Sequence, residues 1–307
     1  VRALVVVNPN ATSTRRRVRD VLLSALQGAA DVTIATTTHR NHAAELAASA
    51  RTQGMDAVVA YGGDGTVNEV VNGMLAQGPG QDTPLLGVLP GGSANVFARN
   101  LGLPNDAVEA AGYLLRGLQG HAHVRSVGLG QANDRWFTFN SGLGFDADTV
   151  HAVEKARSRG KRATPGLYVR SAVRSYFSQE RRIPLISGEL LGGEALPEMF
   201  LALVTNSSPW TYLGRRGIRT APRSSFDAGL DLVGTTTLSV APTLKHAAEI
   251  VAGRRGPRGP DAVLRHDLSQ VTLRAQRPLP YQVDGDYLGE TSQLRCRAVP
   301  DALRVLV

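Results

Sequence analysis

One cysteine, Cys296, stands among 307 residues, so no disulfide can form within the chain, which suits a reducing cytoplasm. Aromatic side chains make up only 5% of the sequence, and no basic stretch is interleaved with rings on which bases could stack, so nucleic acid is not expected as a partner. No apolar run approaches the roughly 20 residues needed to cross a bilayer. The opening Val1-Arg2-Ala3-Leu4-Val5-Val6-Val7 turns polar too soon for the apolar core of a secretory signal and reads as a first strand. Acidic residues number 26 against 34 Lys and Arg, which leaves a formal charge of +8 and a sequence pI of about 10.1. That excess by itself favours an anionic partner, whether nucleic acid, a phosphorylated substrate or an acidic lipid surface, without choosing among them. Set against these scarcities, 42% of the residues are hydrophobic, enough for two domains with separate cores.

Through residue 120 the chain alternates strand and helix. Short apolar runs at 4–7, 32–37, 57–60 and 85–89 are strands, and each leads through a polar turn into a segment of helical periodicity. The apolar stripe Val18, Val21, Leu22, Ala25 and Leu26 predicts the first helix, and Val67, Val70, Val71, Met74 and Leu75 predict the third. Such repetition predicts a parallel sheet covered by helices. From residue 121 strand-like runs follow one another, at 135–139, 183–187, 200–205, 230–234, 271–273 and 281–283, with helices expected only at 167–177 and 244–251. Residues 121–292 therefore read as a second, mainly antiparallel β domain, while 293–307 could close either domain.

Three polar turns carry the candidate chemistry. Gly62-Gly63-Asp64-Gly65-Thr66 follows a buried strand and opens a helix, where backbone N–H groups can face an anion. Its glycines are expected to supply positive φ and to let a phosphate approach without Cβ interference. Thr66 and Glu69 have capping-box spacing. Asp64 would repel a phosphate unless a cation or a proton-accepting role explains it. Pro90-Gly91-Gly92-Ser93-Ala94-Asn95 and Asn8-Pro9-Asn10-Ala11-Thr12 follow strands in the same way, so all three turns would line the carboxyl edge of the sheet, where open α/β folds bind ligands. Neither G-x-G-x-x-G nor G-x-x-x-x-G-K-[ST] occurs, which removes the main support for dinucleotide and P-loop readings.

Asn8-Pro9-Asn10, Gly62-Gly63-Asp64-Gly65-Thr66-Val67-Asn68-Glu69 and residues 89–99, in that order, resemble the diacylglycerol kinase catalytic domain family, which includes soluble bacterial lipid kinases and is related to sphingosine and ceramide kinases and, distantly, to NAD kinase. The resemblance runs to the end of the chain. It implies an α/β fold with an N-terminal, NAD-kinase-like nucleotide-binding domain over residues 1–120 and a C-terminal antiparallel β-sandwich that takes the lipid, with ATP in a cleft between them. It implies transfer of the γ-phosphoryl group of ATP, with Mg²⁺, to the hydroxyl of diacylglycerol or a similar lipid. Nucleotide contacts fall by this analogy on Asn8, Pro9, Asn10, Ala11, Thr12, Thr38, Gly62, Gly63, Asp64, Gly65, Thr66, Asn68, Glu69, Gly92 and Ser93. The family's proton acceptor falls on Asp284, in Val283-Asp284-Gly285-Asp286, where residue chemistry alone reads a hairpin turn. Asp64 then becomes the organiser of magnesium and phosphates. The partners implied are a lipid substrate, peripheral contact with the inner face of the membrane and, left open, a second copy of the chain. A sphingoid base, a glycolipid or NAD are the rival acceptors, and a silent nucleotide or lipid sensor is the rival from outside catalysis.

The chain departs from the family pattern at Val96, where a carboxylate is usual, at Asp227-Ala228-Gly229, which weakens a structural magnesium site although Asp231 is near, and at Asp286, where Glu is common. Residues 155–162 carry five cations and no acid, and Arg215, Arg216, Arg219 and Arg223 form a second basic cluster; either could meet phosphate or membrane, or simply be solvated surface. Arg15, Arg16, Arg17 and Arg19 open the first helix, where one could reach phosphates. His121 and His123 lack a third ligand at metal spacing, so no zinc site is expected there.

Overall fold

The computed structural model describes residues 1–11, 16–121, 123–144, 184–253 and 256–307. Thr12, Arg15, the side chain of Arg16, the basic run 155–162 and the expected helix at 167–177 lie outside the described residues. The chain forms two compact units, Val1–Gly128 with Asp301–Val307, and Leu129–Pro300. These boundaries fall later than the changes of pattern at residues 121 and 293 because they lie inside strands rather than in polar linkers.

In the first unit, β1 (Arg2–Val7), β2 (Asp31–Thr36), β3 (Ala57–Gly62) and β4 (Leu85–Pro90) are parallel in the order β4–β3–β1–β2. All six residues of β3 are buried, as expected of a central strand covered on both faces, whereas edge strand β2 has no fully buried residue. The connecting helices are α1 (Arg16–Ala29), α2 (His42–Thr52), α3 (Asp64–Met74), α4 (Val96–Asn100) and α5 (Ala107–Arg116). Asp106 caps α5 by accepting the amides of Val108 and Glu109. Helices α2 and α3 touch through Gly73, where any Cβ would overlap the Ala44 carbonyl oxygen. The core joins Val5, Val59, Leu26, Leu89 and Leu114 to Leu306 of the returning chain end.

The second unit begins within β5 (Val124–Ala132) and continues through β6 (Arg135–Phe137), β7 (Asn140–Gly144), β8 (Ile186–Leu190), β9 (Ala195–Met199) and β10 (Leu201–Thr205). A small hairpin, β11 (Thr211–Leu213) with β12 (Arg216–Ile218), precedes β13 (Leu230–Thr235), α6 (Val240–Ala252), β14 (Ala262–Leu268), β15 (Gln270–Val283) and β16 (Asp286–Leu306). The β7, β10, β13 and β14 pairings are antiparallel. Strand β15 pairs with β8 over Val271–Ala275 and with β7 over Tyr281–Val283, and its register shifts between Arg274 and Leu279, around Pro278. A strand that changes partner at a break in this way passes from one layer of a sandwich to the other. Phe137, Leu143, Ile186, Met199, Leu232 and Cys296 fill the space between the layers. Among the described residues, no helix is long and apolar enough to cross a membrane.

Candidate active site

The turns after β1, β3 and β4 are stitched together at the carboxyl edge of the parallel sheet. The amide of Asn8 donates to the Tyr61 carbonyl at 3.0 Å, and that of Gly91 to the Gly62 carbonyl at 2.8 Å. Asn8 Nδ2 donates to Thr66 Oγ1 at 2.9 Å, while its Oδ1 accepts the Asn10 amide. The order β4–β3–β1–β2 reverses direction between β1 and β3, which is the switch point where such sheets leave a crevice. A cavity of about 540 Å³ lies there, lined by Val7, Asn8, Pro9, Ala11, Arg19, Asp20, Leu23, Thr36 and Tyr61. It includes three of the expected nucleotide residues and one of the four arginines of the first helix. Helix α3 starts at this edge without a side-chain cap, so its first-turn amides point past the helix end.

Two expectations are corrected here. None of Gly62, Gly63, Gly65, Gly91 or Gly92 has positive φ; in this region Asn95 does, at 48°. The glycines instead permit backbone contact: a Cβ on Gly92 would lie 2.7 Å from Gly63 Cα, and one on Gly91 would lie 3.2 Å from Gly62 Cα. Glu69 forms no capping box with Thr66. Its two carboxylate oxygens accept the amides of Asn41 at 2.9 Å and Ala43 at 3.3 Å, so it caps the start of the neighbouring helix α2, whose own N-cap Asn41 supplies no side-chain bond. The Ala44–Gly73 contact brings α2 close enough for this, and two unpaired amides outcompete the single one available to a capping box.

Asp64 is half-buried, and its Oδ1 accepts the Phe97 amide at 3.2 Å, tying the first turn of α3 to that of α4. Ser93 is exposed; Asn68 is buried within α3 and its carbonyl and side chain receive Asn72 Nδ2. Thr38 follows edge strand β2; its amide donates to His42 Nδ1 at 3.0 Å, and its hydroxyl oxygen lies 3.0 Å from the same nitrogen. His39, His42 and Glu45 gather ligand atoms within 4.8 Å. An amide can only donate, so the His42 Nδ1 lone pair is already taken by Thr38, and the trio does not fit a metal.

In the second unit, Asp284 and Gly285 form a two-residue hairpin loop with φ of 48° and 80°, and Val283 pairs with Asp286. The hairpin-turn reading of this motif therefore holds, and the carboxylate is engaged in hydrogen bonds as well. Asp284 is buried, and four donors converge on it. Oδ2 accepts the Thr138 amide at 2.7 Å and hydroxyl at 2.8 Å; Oδ1 accepts the amides of Phe139 at 2.9 Å and Asn140 at 3.0 Å. Around it, Gln282 Nε2 donates to Asn140 Oδ1 and Gln282 Oε1 accepts the Gly285 amide, while Asn206 Nδ2 donates to the Thr138 carbonyl. Sequence reasoning missed Thr138, Asn140, Asn206 and Gln282. The signal was polar residues beside apolar ones, such as Asn140-Ser141 before Leu143 in β7 and Gln282 before Val283 in β15.

Asp231 is also buried. It pairs with His266 Nδ1 at 2.6 Å and accepts the Asp267 amide at 3.1 Å, while Asp267 receives the Gly229 amide at 2.7 Å. These bonds tie Gly229 and Asp231 to β14.

Residues 2–157 match the family model described as diacylglycerol kinase catalytic domain, and residues 141–307 match the model described as the YegS C-terminal NAD kinase beta sandwich-like domain. The chain is 28% identical over 295 residues to a diacylglycerol kinase of Bacillus subtilis (strain 168), covering 94% of this chain and 90% of the relative. A diacylglycerol kinase of Staphylococcus aureus (strain bovine RF122 / ET3-1) shows the same identity, with 94% and 87% covered. The crystal structure of a diacylglycerol kinase from Bacillus anthracis str. Sterne superposes with a TM-score of 0.71 at 19% identity over 99% of this chain and 96% of that one. An NAD kinase from Archaeoglobus fulgidus, solved in complex with ATP, gives 0.55 at 10% identity over 100% and 94%. At these identities the two structures speak for the fold.

Proposed function

Since the chain belongs to the diacylglycerol kinase catalytic domain family, a family of lipid kinases, we propose that it transfers the γ-phosphoryl group of ATP to the hydroxyl of diacylglycerol or a closely similar lipid, the first unit binding the nucleotide and the second the lipid. The observation that carries the nucleotide part is the hydrogen-bonded alignment of the turns at Asn8, Gly62 and Gly91 along one sheet edge. In this reading Asn8, Pro9, Asn10, Ala11, Gly63, Gly65, Gly92 and Ser93 form the phosphate and nucleoside surface, and the uncapped start of α3 faces a phosphate. The donor set fits one magnesium ion, since Asp64 brings a carboxylate to that helix end and nucleotide phosphates supply further oxygens. Magnesium would neutralise phosphate charge there. Glu69 acts by holding α2 in place rather than by touching ATP.

Asp284 is proposed as the proton acceptor. Four donors hold its carboxylate in one orientation, and the acceptor hydroxyl loses its proton late in phosphoryl transfer, so a positioned carboxylate suffices. Thr138, Asn140 and Gln282 aim and fix it. The test is γ-labelled ATP with dioleoylglycerol, sphingosine or NAD in detergent micelles. Label is expected in phosphatidic acid; label in NAD alone, or in no lipid, overturns the proposal. Asp284→Asn is expected to slow turnover by at least about 10²-fold while ATP affinity stays within a few-fold; full activity of the folded variant would refute the role of Asp284.

A further inference from the structure

Helix α6 is amphipathic in the wrong sense for a domain surface. Val240, Leu244, Ala247, Ala248 and Val251 lie on one stripe at helical spacing, and all are exposed. Leu244 is 66% exposed, Val240 56% and Val251 45%, while His246 on the opposite side is 9% exposed. The helix is tied to the rest of the unit near its C-terminal end: Arg216 Nη2 donates to the Val251 carbonyl at 2.6 Å, and the Arg258 amide to Glu249 Oε2 at 2.9 Å. The same contacts set two cationic segments beside the stripe. The β11–β12 hairpin offers exposed Arg215 and Arg216 and a further apolar side chain, Leu213, 43% exposed; Lys245 reaches the Arg258 carbonyl at 3.1 Å. Across residues 211–219, α6 and residues 256–260, the cations are Arg215, Arg216, Arg219, Lys245 and Arg258, and the one acid is Glu249, already bound to the Arg258 amide.

We infer that this face is the membrane-docking surface, with α6 lying in the plane of an anionic bilayer, its stripe among the upper acyl chains and the flanking cations among the headgroups. The inference rests on the lipid-kinase reading for its biological sense, though not for its test. Charge selects the occupant. A two-fold contact between copies would set this cation cluster against itself, and a stripe about 20 Å long and one or two side chains wide falls short of the roughly 1,200 Å² that a stable interface buries. A bilayer needs only shallow insertion and rewards each added cation. Lysine and arginine at the rim can also keep their charge in water while their stems cover lipid.

The experiment is co-sedimentation of the full chain with vesicles of phosphatidylglycerol and phosphatidylcholine at equal parts, and of phosphatidylcholine alone, with neither diacylglycerol nor ATP present. Binding is expected only to the anionic vesicles. Leu244→Glu is expected to reduce it at least tenfold, and Lys245→Gln about fivefold at low salt. Leu244 is solvent-facing, so the melting temperature should hold; if it drops, Leu244→Ser and Val240→Ser replace it in the same assay. Phosphorylation of a short-chain, water-soluble diacylglycerol should be unchanged by either substitution, which separates failure of the docking surface from failure of the kinase reading. Unaltered vesicle binding in all these variants overturns the inference. So does a concentration-dependent dimer, seen by sedimentation without lipid, that Leu244→Glu abolishes, because the face would then be a contact between copies.

Discussion

Asp284→Asn should destabilise the second unit whatever it does to turnover, and the size of the effect can be worked from the carboxylate's four partners. Asparagine tolerates the left-handed backbone at this position, φ 48°, so the hairpin loop itself is not perturbed. What changes is that one acceptor oxygen becomes an NH₂ group facing donors. If that group turned toward Phe139 and Asn140, two buried amides would lose their acceptor. Turned toward Thr138 it strands one amide, because the Thr138 hydroxyl can rotate and accept instead. The second orientation therefore wins. It costs about 1–3 kcal/mol for the stranded Thr138 amide, and about 1 kcal/mol for each of the two remaining bonds, which lose their charge assistance. A total of about 3–5 kcal/mol should lower the melting temperature by roughly 10 °C in a unit of this size. Thermal melts followed by circular dichroism, with urea titration as a second axis, measure it. Thr138→Val removes only the hydroxyl and should cost about 1 kcal/mol, and the double variant should cost less than the sum of the singles. A melting temperature within 2 °C of the parent would show that these donors do not depend on the charge, and the caged-carboxylate argument would fall with it.

Glu69→Gln keeps one acceptor for the start of α2 and loses the charge, so stability should drop by about 1 kcal/mol while ATP affinity changes less than twofold. A tenfold loss of affinity at unchanged stability would return Glu69 to the nucleotide. Burial pushes the Cys296 thiol up from 9.0 to about 12, so it stays protonated at pH 8. Aromatic disulfide reagents should label it only when urea unfolds the chain, and rapid native labelling would contradict its burial. The raised value also fixes a sign: the stability due to this buried neutral thiol is full below the ordinary thiol range and is lost as pH rises toward about 12.

The parallel unit was open to sequence reading because its strands are short, apolar and ended by glycine, proline or asparagine, each signal local to a few residues. The same locality explains the errors. Thr66 and Glu69 satisfy a spacing rule, yet Glu69 serves Asn41 and Ala43, which lie 28 and 26 residues away and become its neighbours only because Gly73 lets two helices meet. Positive φ was expected of the glycine turns because that is glycine's usual service in a turn; here its lack of a side chain matters more, since Gly63 and Gly92 face each other backbone to backbone. Helix α6 was expected from periodicity, but periodicity gives a stripe and not the direction in which the stripe points. Burial of His246 on the opposite side is what turns Leu244 outward.

Asp284 is the sharpest case. Asp-Gly is a turn pair, and asparagine would serve the turn as well, so the local pattern holds nothing that asks for a charge. The demand for one comes from the Thr138–Asn140 amides, 144 to 146 residues earlier in the chain, which point three N–H groups and a hydroxyl at one spot. Consecutive amides aimed inward need an acceptor, and the Asp284 carboxylate is the one that takes all of them here. The acid at this turn is therefore required first by the fold, and any catalytic use of it builds on a charge that the neighbouring loop already holds in place.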